Sequence, residues 1–157
     1  MKSASITTYL ILLLIKIIGN GASLFAYVVI VSTLAASPPE SFSMVGGEYG
    51  YDSSIWWDVF PNVSLVIFLI ALITNWKTDR RKWLLISFAI GLLSAIYAIF
   101  LLEPIQASVK ANALAETVPS DISEQAQTWL QVDLGFQLLS LLSTLILFQP
   151  IVKALKK

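Results

Sequence analysis

The chain has no cysteine and no histidine in its 157 residues. Without cysteine there are no disulfides, thiolate metal sites, iron–sulfur clusters or cysteine nucleophiles. Without histidine the commonest haem ligand, the Ser-His-Asp triad, the facial iron triad and the common zinc sites are missing. No haem, zinc or iron–sulfur cofactor is expected. Charge is scarce too, at 13% of residues, with 10 Lys and Arg against 10 Asp and Glu. A chain of zero net charge carries no electrostatic case for a nucleic-acid partner. What fills the sequence is apolar: 57% of it, at a mean hydropathy of +0.78. Ordinary soluble domains hold roughly 45–50%. The length suits one domain covering residues 1–157, and the composition points to a membrane protein.

A helix needs about 20 apolar residues to cross the hydrocarbon of a bilayer. Four stretches meet this or come close, giving spans over about 9–36, 55–76, 83–103 and 129–152. Only Lys16 interrupts the apolar run of the first, and the runs Val59–Trp76, Trp83–Leu102 and Leu134–Val152 carry no charge. The first run is longer than the h-region of a secretory signal, and its basic flank is Lys2 alone. It reads as a retained membrane helix.

The charges sort by side. Lys2, Lys16, Lys77, Arg80, Arg81, Lys82, Lys153, Lys156 and Lys157 fall on one side, with Asp79 the one acid among them. Glu40, Glu48, Asp52, Asp58, Glu103, Glu116, Asp121, Glu124 and Asp133 fall on the other, with Lys110 the one base. The positive-inside rule then puts both termini and the Lys77–Lys82 turn in the cytoplasm. The expected fold is all-α: a transmembrane four-helix bundle running up-down-up-down, in the bacterial inner membrane. Trp56, Trp57, Trp76, Trp83 and Trp129 all stand near span ends, where indole rings favour the interface.

The two outer connections differ. Residues 37–54, with Pro38-Pro39, Gly46-Gly47 and Gly50, read as irregular loop, and Asp52, Ser53 and Ser54 as caps for the second span. Residues Gln106 to Glu116 favour helix and should prolong the third span past Pro104. Asp121 and Glu124 stand at capping-box spacing before the fourth. The third and fourth helices are therefore expected to extend on the outer side.

Polar residues inside the spans fall on stripes. Lys16, Asn20, Ser23 and Tyr27 follow i, i+4, i+7, i+11 on the first span, and Asp133, Gln137, Ser140 and Thr144 follow the same spacing on the fourth. Counted from the cytoplasmic ends, the stripes match: Lys16 with Thr144, Asn20 with Ser140, Ser23 with Gln137, Tyr27 with Asp133. Asp58 and Asn62 share a face of the second span. If the stripes converge, Tyr27, Asp58, Glu103 and Asp133 form an outer layer, with Ser23, Asn62, Gln137 and Tyr97 beneath it. Tyr97 and Glu103 lie about 120° apart round their helix, so one of them is turned aside.

Three neighbouring carboxylates cannot all ionise cheaply in a dry site. One holds a proton, or a cation sits among them. Oxygen ligands favour a hard ion, and a substrate amine is an equal candidate. The ligand or cation candidates are thus Tyr27, Asp58, Asn62, Glu103, Asp133 and Gln137, with Lys16, Asn20, Ser23, Ser140 and Thr144 as a polar seam. Each has a plainer reading. The carboxylates can end their helices in interfacial water. Lys16 can snorkel to the surface. Asn20, Gln137 and Ser140 can be interhelical hydrogen-bond glue, and the small residues Ser87, Gly91, Ser94 and Ala98 of the third span can serve close packing. The basic turn meets anionic lipid heads without a specific ligand.

Phe60-Pro61-Asn62, Arg80-Arg81, Glu103-Pro104-Ile105 and Trp129, in this order, resemble the anthrone-oxygenase-like family of small four-helix membrane proteins. The resemblance spans roughly residues 9–150 and implies a four-helix membrane bundle. In that family the Trp is followed by a His and an Arg. Asp133 and Gln137 stand near that stretch here, so the resemblance does not carry oxygenase chemistry across.

Three functions compete. The first is a non-enzymatic small-ligand-binding module or accessory subunit, embedded in the lipid bilayer as a homo-oligomer or part of a larger membrane complex. The second is a small proton- or cation-linked transporter working as an oligomer. The third, ranked last, is a membrane enzyme on a lipid-like substrate with a carboxylate general base.

Overall fold

The computed structural model describes residues 2–45, 54–115 and 117–155. Every regular element among them is helical. The expected caps Asp52 and Ser53, the glycines at 46, 47 and 50, and Glu48, Glu116, Lys156 and Lys157 lie outside the described residues.

Four helices are long and apolar enough to cross a membrane: Ser3–Ala36, Ile55–Thr74, Arg80–Ala113 and Ile122–Leu155. Three of these have 34 residues, a rise of about 51 Å against a hydrocarbon thickness of about 30 Å. The first is therefore as long as the third and fourth, which alone were expected to protrude. The second, with 20 residues, just matches the hydrocarbon. Large apolar side chains lie outward along all four; Leu14, Val28, Val66, Leu93, Ile99 and Leu138 are each exposed. A helix surrounded by lipid has no reason to turn them inward.

The spans are not uniform. The first is α1 (Lys2–Phe25), a π-helical turn at Ala26–Val31, and α2 (Ser32–Ala36). At the end of the π turn the Ser32 N–H reaches the Tyr27 carbonyl, and two hydroxyls bond carbonyls one turn back: Ser32 Oγ that of Val28 and Thr33 Oγ1 that of Val29. The second span is α3 (Ser54–Thr74). The third is α4 (Arg80–Tyr97), a π turn at Ala98–Leu102, and α5 (Glu103–Ala113). Pro104 has no N–H to give the carbonyl four residues back. The π turn, in which the Glu103 N–H reaches the Ala98 carbonyl, absorbs that loss without a break. The fourth span is α6 (Ile122–Ile146) and α7 (Gln149–Leu155). It breaks at Leu147-Phe148, just ahead of Pro150.

The chain divides into two compact units. One comprises Met1–Gly21, Ser54–Leu93 and Leu139–Lys157. Its core is Tyr9, Leu12, Leu13, Phe68, Ala71, Leu84 and Leu147. The break in the fourth span is satisfied here, because the Tyr9 hydroxyl donates to the Leu147 carbonyl at 2.5 Å. Ser87 and Ser143 join α4 to α6 reciprocally: each hydroxyl donates to the other's carbonyl, at 2.7 and 3.0 Å. Asn75, fully buried, ends the second span. Its Nδ2 donates to the carbonyls of Ser5 and Ala71, both at 2.9 Å, and its Oδ1 accepts from Arg80 at 3.3 Å. The basic turn lies on aromatic faces, with Arg81 over Trp76 at 5.2 Å and both Lys82 and Lys153 over Trp83 at 5.5 and 4.9 Å.

The second unit comprises Ala22–Ser53 and Ser94–Leu138. Its core joins Val31, Leu34 and Ala35 to Val109, Ala113, Ile122, Ala126 and Trp129. It also takes in Phe42, from a 3₁₀ turn at Glu40–Met44. Two expectations change here. Part of the connection read as irregular is ordered and contributes a fully buried phenylalanine. Trp129 is not an interfacial anchor either: it is 2% exposed, with its ring 6.3 Å from that of Phe42. At the foot of α6 the Asp121 carboxylate takes Gln125 Nε2 at 3.1 Å.

Candidate functional site

The polar residues of the first and fourth spans form two separate networks, one in each unit. In the first unit Asn20 sits on α1 and Ser140 and Thr144 on α6. Asn20 Nδ2 donates to Thr144 Oγ1 at 2.6 Å, and Ser140 Oγ donates to Asn20 Oδ1 at 2.7 Å. Thr144 Oγ1 also reaches the Ser140 carbonyl at 3.3 Å. One amide thus clamps two hydroxyls one turn apart, which is structural glue. Thr144 is engaged by Asn20 rather than by Lys16. The Lys16 side chain is half-buried and makes no ion pair among the described residues.

In the second unit Ser23 Oγ donates to Gln137 Oε1 at 2.9 Å, and Gln137 Nε2 donates to Asp133 Oδ1 at 2.9 Å. Ser23 is 5% exposed and Asp133 6%. Asp133 and Gln137 are one turn apart on α6, so the helix itself aligns them. Tyr97 closes on the same turn from the end of α4. Its hydroxyl donates to the Val132 carbonyl at 3.0 Å. Gly135 makes that approach feasible, because a Cβ there would stand 2.5 Å from the Tyr97 hydroxyl oxygen. Tyr27 is half-buried in the π turn of the first span, and Asp133 takes its hydrogen bond from Gln137 instead.

The remaining candidates have other surroundings. Asp58 and Glu103 are exposed, as is Asn62, whose Nδ2 donates to the Asp58 carbonyl at 2.7 Å. The three carboxylates therefore do not share one environment. Among the described residues no group of three or more Asp, Glu, His or Cys could hold a metal ion. No buried side-chain nitrogen or oxygen among them lacks a hydrogen-bond partner either.

Among the described residues Asp133 is the one buried Asp, Glu, Lys or Arg, and among them it has an amide neighbour and no cationic one. This arrangement offers a single carboxylate, oriented by Gln137 and through it by Ser23. Chemically it can exchange a proton or receive a cationic group. Sequence reasoning reached these residues by helical spacing. It missed Asn75 and Tyr9, which hold helix ends together; an Asn directly after an apolar run was the available signal for the first. No protein-family model, no curated protein and no solved structure matches this chain.

Proposed function

We propose that the chain is a multi-pass protein of the bacterial inner membrane, running up-down-up-down with both termini cytoplasmic. In this reading it is a non-enzymatic binding module in which Asp133, Gln137 and Ser23 receive a small cationic ligand, an amine above all. One observation carries it: Asp133 is 6% exposed, hydrogen-bonded to Gln137 and without a basic partner among the described residues. Burying an ionised carboxylate is costly unless a proton or a cation offsets its charge. Ionisable groups within spans are functional candidates for that reason. The anthrone-oxygenase-like resemblance adds only the bundle architecture to this reading.

A second reading, a proton- or cation-linked carrier, is favoured by the two π turns. Ala26–Val31 contains Tyr27, and Ala98–Leu102 directly follows Tyr97. Such turns recur at functional sites and can shift register.

The test is infrared difference spectroscopy on the protein in lipid vesicles, with n-butylammonium as probe. The binding reading expects the amine to perturb a carboxyl band that is absent from Asp133→Asn. An amine response that survives unchanged in Asp133→Asn removes Asp133 from the site. Proton uptake into the vesicles, lost in the same variant, selects the carrier over the passive binder.

A further inference from the structure

The second span carries a seam that the binding reading does not use. One side of α3 faces its own unit. Phe60 lies over Gly19, where a Cβ would come within 2.5 Å of its ring, and Phe68 and Ala71 are buried in the core. On the opposite side stand Ile55, Val59, Asn62, Val66, Leu69 and Ile73, all of them exposed. Their separations alternate four and three residues throughout. At about 100° per residue, this spacing keeps all six on one stripe, and it is the a/d alternation of a coiled-coil seam. Five of the six are branched aliphatics.

Asn62 is the exception, and it shows what covers the stripe. It stands seven residues into the 20-residue span Ile55–Thr74, about 10 Å along a helix whose length matches the hydrocarbon of a bilayer. Its amide has two N–H donors and a carbonyl acceptor. One N–H is used within the helix, on the Asp58 carbonyl. The Oδ1 accepts no hydrogen bond among the described residues. Lipid tails can cover the five aliphatic side chains but cannot bond the amide. A second copy of α3 can. Copies inserted the same way round are parallel, so Asn62 meets Asn62 at equal depth. Each then donates its spare N–H to the other's Oδ1. A shallow groove of about 280 Å³, lined by Asn62, Val63, Val66 and Ile67, adjoins this point. It runs between two i, i+4 ridges, which is where the side chains of a packed helix seat.

We propose that the exposed seam of α3 is the interface of a parallel homodimer, with the axis normal to the membrane and Asn62 fixing its register. A single polar residue in an apolar seam has that effect on coiled coils. The interface is isologous, as a two-fold dimer requires. The inference rests on the second span lying in a bilayer and not on ligand binding at Asp133, so the two readings fail separately.

The absence of native cysteine makes the test clean. Val66→Cys and Ile73→Cys are introduced singly into the full chain in vesicles, beside Leu93→Cys and Leu142→Cys, which are also exposed, on other spans. Mild oxidation is expected to cross-link the first two as dimers and leave the last two monomeric. Asn62→Leu should weaken dimerisation about tenfold, measured by energy transfer on dilution into excess lipid, and Asn62→Gln should restore much of it. Equal cross-linking at all four positions overturns the proposal. So does a monomer at every dilution, which would mean that lipid covers the seam, or an Asn62→Leu dimer as strong as the parent.

Discussion

The side chain of Tyr97 reaches the Val132 carbonyl only because residue 135 has no Cβ. Gly135→Ala must therefore displace the ring, leaving one hydrogen bond broken and the packing strained. Such overpacking typically costs about 1–3 kcal/mol, and the lost bond accounts for about 1 kcal/mol of that. Because the nearest atom is the hydroxyl oxygen itself, Tyr97→Phe should relieve part of the clash. In detergent unfolding assays the double variant is expected to be less destabilised than the sum of the two single ones. Strict additivity would mean that the two positions do not touch. Residue pairs of this kind were only partly legible in the sequence. Period and depth pair Asn20 with Ser140 and Ser23 with Gln137, and both hydrogen bonds occur. Nothing in the spacing of one helix says which way its face turns, so Asp58 and Glu103, drawn inward on paper, are exposed in the structure.

At the scale of the element, apolar length found the four spans but not their interruptions. The two π turns have no signature in hydropathy; Pro104 marks one of them only once its missing donor is considered. The break at Leu147-Phe148 was foreshadowed by Pro150, yet the apolar run continues across it. Composition also misjudged the connection between the first and second spans. A loop rich in proline and glycine reads as irregular, and it takes tertiary packing to show that Phe42 seals the second unit against Trp129. A tryptophan at the edge of an apolar run is ambiguous between membrane interface and core, and only burial decides. Trp129→Ala should cost about 3–5 kcal/mol as a buried aromatic truncation, whereas Trp76→Ala, on an exposed ring, should cost far less. Equal losses in unfolding would return Trp129 to the interface. Asn75 makes a complementary case: Asn75→Leu removes the amide but leaves the Ser5 carbonyl and the Arg80 guanidinium without it. A loss of about 1–3 kcal/mol is expected, together with faster proteolysis of the 75–79 turn. An unchanged turn would show that the amide is dispensable there.

For the whole molecule, the arithmetic of charge and apolar length was the strongest signal, because a bilayer constrains a chain more tightly than any single contact does. Long spans flanked by basic residues at one end and acidic ones at the other, with aliphatic side chains outward and hydrogen bonds inward, agree at every level from residue to unit. The orientation that this implies is open to one direct measurement. Asp79→Cys and Ser120→Cys, each exposed and each the sole thiol of its chain, are offered a membrane-impermeant maleimide in intact cells. The account predicts rapid labelling at 120 and none at 79 until the cells are permeabilised. Labelling of both positions from outside, or of 79 alone, would contradict it.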